Sequence, residues 1–188
     1  MKLKAMKMKK YFKYYIAVLS TVILSLPVFA QEINKDQDFL TTAARLNQFE
    51  IALGTQALNQ SKNEEIKRYG QMLVDDHTKV QEELQEAAIA KKLIMPDGLE
   101  ENQASILKSL SMLSDADFDN AFKDAVIKMH ESTIALFENA ADSLNDQELR
   151  SWAAAKIPSL TSHLEQAKSL QVRSESAPSM EVDSVETL

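Results

Sequence analysis

The 188-residue chain carries 21 basic and 28 acidic residues, three glycines, four prolines and no cysteine. The lack of cysteine excludes disulfide frameworks, thiolate metal sites and a lipid-bearing cysteine anchor. Six of the basic residues fall within positions 1–30 and no acidic residue precedes Glu32, so residues 31–188 hold 15 basic against 28 acidic groups, a net charge of −13 that repels phosphate backbones and argues against nucleic-acid binding.

Lys2, Lys4, Lys7, Lys9, Lys10 and Lys13 form a basic opening, Ile16 to Leu26 is a short apolar run, and Val28-Phe29-Ala30 places small residues where signal peptidases cut. Residues 1–30 are therefore predicted to be a secretory signal peptide cleaved at about Ala30. The apolar run is short for a membrane span and no second one follows, so no integral span is expected after cleavage and the protein is expected to be exported, periplasmic or envelope-associated. The remaining 158 residues suffice for one domain with a real core, and their alanine, leucine, glutamate, glutamine and lysine content favours helix.

The first predicted helix runs from about Asp36 to Asn59, with Phe39, Ala43, Leu46, Glu50, Leu53 and Ala57 on one stripe and Glu50 the only charge among them. Ser61, followed by Glu64 three positions on, reads as a capping box that opens a second helix reaching about Lys92. Ile66, Leu73, His77, Val80 and Leu84 make its inner stripe, and Met95-Pro96-Asp97-Gly98 stops it. A connection of about twenty residues follows, and the weaker apolar period of Ile106, Leu107, Leu110 and Leu113 places one short helix in it.

Ser114 with Asp117 is a second capping signal, opening a third long helix to about Ser143. Its stripe is Phe118, Phe122, Val126, Met129, Thr133, Leu136 and Ala140, with His130 on the shoulder. Asn145-Asp146 makes a tight turn into a fourth helix bearing Leu149, Trp152, Ala153, Leu160, His163, Leu164 and Leu170 and ending near Arg173. Pro158 lies inside it and predicts a kink or local break. Ser174 to Leu188 is acidic and aperiodic and reads as a disordered tail, leaving 31–173 as the folded domain.

Short loops within each pair and a long connection between them predict an all-α, ferritin-like four-helix bundle: two antiparallel hairpins joined by a crossover. At about 1.5 Å per residue, Glu50 and His163 fall roughly 16–17 Å from the bundle end near Ser61, and His77 and His130 roughly 22–24 Å. Four helices thus each direct one metal-competent side chain to similar depth. Glu50, His77, His130 and His163 are the candidate ligands, and three imidazoles with a carboxylate suit zinc, copper, nickel or non-haem iron. A shared ion requires the ring nitrogens to converge within about 5 Å.

Two other readings of the same residues compete. The four side chains can instead form a buried polar network in a non-catalytic envelope module, or the ion can serve a metal-dependent oxidase or peroxidase. The di-iron pattern needs two Glu-x-x-His pairs, and Val74, Ile127 and Leu160 stand where those acids belong, so an enzyme is the weaker expectation. Asp76 and Glu131 adjoin histidines but project about 100° away on a helix, as solvated groups or hydrogen-bond partners behind a ligand. Glu138 reads as a solvated charge, and Met72 and Met129 as core filler rather than soft copper ligands.

Phe39-Leu40, Glu50-Ile51-Ala52-Leu53-Gly54, Met72-Leu73-Val74-Asp75-Asp76-His77, His130-Glu131, Leu136-Phe137, Ile157-Pro158-Ser159-Leu160 and His163-Leu164 occur in order between Asp36 and Leu170. In these the chain resembles the bacterial family known as domain of unknown function 4142. The resemblance implies an exported four-helix domain. It brings no assigned activity, and the outer-membrane label often given to the family finds no barrel strands or lipobox here.

Overall fold

In the computed structural model, residues 34–172 are described, and the expected signal segment and acidic tail lie outside them. These residues form five helices and no strand: α1 Lys35–Gln60, α2 Glu64–Lys91, α3 Glu101–Ser111, α4 Asp115–Ser143 and α5 Gln147–Ser169. None is long and apolar enough to cross a membrane.

Polar side chains set most of the helix starts. Asn34, Asn63 and Asp146 each accept a hydrogen bond from a backbone N–H of the first turn, and Glu100 and Gln103 form a reciprocal capping box at α3. The start of α2 therefore differs from the expected one: Asn63 caps it, while Ser61 closes α1, accepts from Asn63 N and donates to the buried Asp119 carboxylate at 2.6 Å. Ser114 does precede α4, but its side chain makes no capping bond. At its far end α2 stops before the proline, because Lys92 turns left-handed (φ 55°) and Leu93 N donates back to Ala88 O. Pro158 removes one backbone donor without breaking α5.

The hairpins α1–α2 and α4–α5 turn within three residues each. Between them the chain must travel the length of the bundle, and α3 carries it along α1 in the same direction. Arg45 pairs with Glu100, Gln56 donates to Leu107 O, and Gln60 donates to Leu110 O and Leu113 O. Four long helices result in which spatial neighbours run antiparallel and diagonal partners run parallel.

Their stripes bury two separate apolar clusters. One joins Phe49, Leu53, Ile66, Leu73, Phe118, Phe122 and Val126; the other joins Phe39, Leu40, Leu84, Phe137, Leu149 and Leu160. On α2, α4 and α5 a buried histidine lies between the helix's contributions to the two, His77, His130 and His163 in turn, and on α1 Glu50 follows Phe49, the first α1 residue of the former cluster. The spacing between α1 and α2 is set by two glycines. A Cβ on Gly54 would sit 2.5 Å from Gly70 O, and one on Gly70 would sit 2.8 Å from Gly54 O. Gly54 follows Glu50 by one turn and Gly70 precedes His77 by two, so this close approach fixes how near those side chains stand.

Gly54→Ala is expected to lower stability in urea unfolding by about 2–3 kcal/mol, even though alanine gains about 1 kcal/mol over glycine as a helix former. An unchanged midpoint would show that the two helices separate there at no cost.

Candidate metal centre

Glu50, His77, His130 and His163 are all buried, at 1%, 5%, 0% and 5% exposure. His130 is thus fully enclosed and does not occupy the shoulder position expected of it. One nitrogen from each histidine lies within 4.8 Å of the others, the scale on which several donors share one ion. Glu50 Oε2 stands 3.8 Å from His77 Nε2, and Glu50 Oε1 stands 3.6 Å from His130 Nε2. Both separations exceed a hydrogen bond. The structure therefore brings the four predicted residues into one place without joining them to one another.

The outward nitrogen of each ring has a partner that fixes its proton. His77 Nδ1 lies 2.9 Å from the Asn47 side-chain oxygen and His130 Nδ1 lies 2.8 Å from Val126 O. Both partners can only accept, so each Nδ1 donates and each Nε2 turns a lone pair inward. His163 is reversed: its Nε2 stands 3.3 Å from Asp76 Oδ2, leaving Nδ1 inside. Asn47 is itself held by donating to His77 O and Gln81 Oε1, and the buried Tyr69 hydroxyl donates to His163 O. Glu131 and Glu138 are exposed, and no methionine lines the cleft that adjoins the site.

Seven buried side-chain polar atoms among the described residues lack a hydrogen-bond partner within the protein, and six of them are here: both Glu50 oxygens, His77 Nε2, His130 Nε2, His163 Nδ1 and Thr133 Oγ1. A buried group left without its hydrogen bond costs about 1–3 kcal/mol, so this concentration is expensive and locally specific.

Burial also decides the charges. It drives His77 down from 6.5 to about 3, with the neighbouring His163 and His130 adding to the effect. It drives His130 down to about 4 against the opposing Val126 hydrogen bond. His163 is lowered by burial against the pull of Asp76, and Glu50 is raised well above 4.5 by burial. Partial burial pushes Asp76 upward, but its bonds to Lys79 and His163 outweigh that and hold it below 3.8. Near neutral pH the site is thus three neutral imidazoles with inward lone pairs, beside a carboxyl whose protonated form burial favours.

Two groups were not foreseen. Asn47 gave a signal, being polar and three residues before Glu50 on the same face of α1; it is buried at 4% where Leu46, placed on the stripe, is only half-buried. The Val126 carbonyl left no trace, because backbone acceptors are common to every residue.

The low pKa values predict acid sensitivity. Below 6.5 the unfolded chain holds imidazole protons that the folded state refuses, so stability present at neutral pH is lost as pH falls from 6.5 towards the folded values of about 4 and about 3. Glu50 acts oppositely above 4.5, but three imidazoles outnumber one carboxyl. The thermal midpoint is expected to drop between pH 6.5 and pH 4.5, and His130→Gln to flatten the drop. An equally steep profile in that variant would refute the assignment.

A family model described as Domain of unknown function (DUF4142) matches residues 27–170. Among solved structures, CopM in its Cu(II)-bound form aligns with TM-score 0.61 at 19% identity, covering 71% of this chain and 93% of that chain. CopM in its Cu(I)-bound form aligns over the same shares with TM-score 0.60 at 19% identity. At that identity the likeness shows a shared helical fold. No curated protein matches the sequence.

Proposed function

Since the chain belongs to the domain of unknown function 4142 family, whose description assigns no activity, we propose from its site that it is an exported, ferritin-like metal-binding protein. One divalent first-row transition ion would be held by His77 Nε2, His130 Nε2, His163 Nδ1 and Glu50. The observation that carries this reading is the set of inward, unpartnered nitrogen and oxygen atoms, each imidazole locked from behind by an acceptor. Backing acceptors of this kind are how metal-binding imidazoles are oriented and made more basic. A polar network held for its own sake would pair these atoms with each other.

The donor chemistry narrows the ion. Three imidazoles and a carboxylate suit borderline divalent ions, with Cu(II) bound more tightly than Zn(II) or Ni(II) by the ordinary affinity order. The described cleft offers no sulfur, the donor that soft Cu(I) prefers. The copper-bound forms of CopM support copper as the first ion to test. The role best matched to one mononuclear site without paired Glu-x-x-His motifs is metal handling or protection against metal stress.

Untagged protein loaded with Cu(II) or Zn(II) and desalted is expected to retain one ion per chain by elemental analysis, and His77→Ala/His130→Ala to retain almost none. Equal, negligible metal in both would overturn the reading. Loading should also raise the thermal midpoint, by about 2.7 kcal/mol of added stability at a free-ion concentration a hundredfold above Kd.

Asn47→Ala keeps all four ligands but frees the His77 ring. Its affinity for the ion is expected to fall roughly 10- to 100-fold. Competition with a chromophoric chelator measures this, and unaltered affinity would separate Asn47 from the site.

A further inference from the structure

One buried group at the site is left over by the four-ligand set. Thr133 lies one turn after His130 on α4, is 5% exposed, and its hydroxyl has no partner within the protein. A threonine inside a helix commonly turns its hydroxyl onto the carbonyl four residues back. Thr42, Thr55, Thr78 and Thr161 do so, at 2.6–2.9 Å. Thr133 makes no such bond, and instead lines a cleft together with Glu50, His77 and His163.

That cleft has about 40 Å³ of space, against the roughly 10–15 Å³ that a single water requires. Ala43, Leu46, Val80, Phe137 and Leu160 form the apolar part of its wall. It reaches the surface between α2 and α5, beside Asp76 and Ser159. The space therefore admits a species of a few atoms and excludes organic acids of metabolite size. Its polar lining inside is the metal-facing residues, the Asn47 amide, already engaged by His77 and Gln81, and the Thr133 hydroxyl, which has no partner; Lys156, paired with Glu83, also lines it.

Resting on the metal reading above, we propose that the cleft binds a small exogenous ligand of the ion, an anion of one to three atoms with an oxygen or nitrogen donor, and that Thr133 donates a hydrogen bond to it. Three neutral imidazoles and one carboxylate leave a divalent ion with a net positive charge, which favours an anion as the further donor. The Thr133 hydroxyl fixes the end of that anion away from the ion, and the apolar wall keeps competing water few.

Cobalt(II) and azide probe the proposal, because the visible bands of cobalt report its coordination. Protein holding one cobalt per chain is expected to change its spectrum saturably with azide. Thr133→Val, which keeps the side-chain shape, is expected to hold the same cobalt but to bind azide about tenfold more weakly, and Thr133→Ser to retain wild-type affinity. Failure to bind cobalt, or equal cobalt in the double histidine variant, would remove the metal reading and this one with it. A cobalt-loaded protein whose spectrum ignores azide keeps the metal site and overturns the open position. Equal azide affinity in wild type and Thr133→Val overturns the part given to Thr133.

Discussion

The constraint on which this molecule depends is a polar layer sealed between two apolar ones. His77, His130 and His163 lie where α2, α4 and α5 pass from one hydrophobic cluster to the other, and Glu50 meets them from α1 beside Phe49. Large side chains such as Phe118, Phe122 and Leu53 on one side and Leu40, Leu84 and Leu149 on the other are almost wholly buried. Each contributes about 1.5–3 kcal/mol by leaving water. That surplus at both ends lets the middle tolerate groups that would, in a uniform core, be replaced by leucine. The fold is therefore stable in spite of its centre.

The way the centre is oriented follows from who stands behind each ring. A side-chain amide holds His77, a backbone carbonyl of its own helix holds His130, and a carboxylate from the opposite helix holds His163. These acceptors differ in strength. Val126 O is already engaged in helical geometry and Asn47 is neutral, whereas Asp76 is ionised and pulls against the burial that lowers His163. The same carboxylate is half-exposed, so solvent reaches the surroundings of His163. The site thus grades from the closed His130 to the more accessible His163.

Much of this could be read from the residues alone, and the reason is geometric. A period of 3.6 residues fixes which side of a helix a residue occupies, and a rise of 1.5 Å fixes its depth. Together they placed Glu50 and three distant histidines at one level before any contact was known. Relations between helices are less legible. Asp76 projects away from His77 as its neighbour in sequence must, yet this is what carries it to His163 on α5. Leu46 and Asn47, or Leu136 and Phe137, differ by 100° about their axes, and the choice between them depends on how the helices are rotated against each other. In both pairs the second residue is the buried one. Ser61 likewise looked like a helix start because its spacing to Glu64 fits, but its hydroxyl is taken by Asp119 from another hairpin.

The two sides of the bundle that flank His77 are built by opposite means, and this asymmetry explains where the site is open. Between α1 and α2 the backbones meet through Gly54 and Gly70, with no side chain interposed and no room for one. Between α2 and α5 the backbones stand further apart, and at the surface the seam is closed by the tips of polar side chains: Asp76 with His163, Glu83 with Trp152 and Lys156, and Lys91 with Glu148 and the helix cap Asp146. Such bridges are partly exposed and individually worth little, typically below about 1 kcal/mol. They separate more readily than a glycine contact between backbones. The cleft beside Glu50 and His77 opens along this second seam. The rigid seam keeps Glu50 and His77 in register, and the looser one leaves the cleft beside them, so the two flanks of α2 are built with different chemistry.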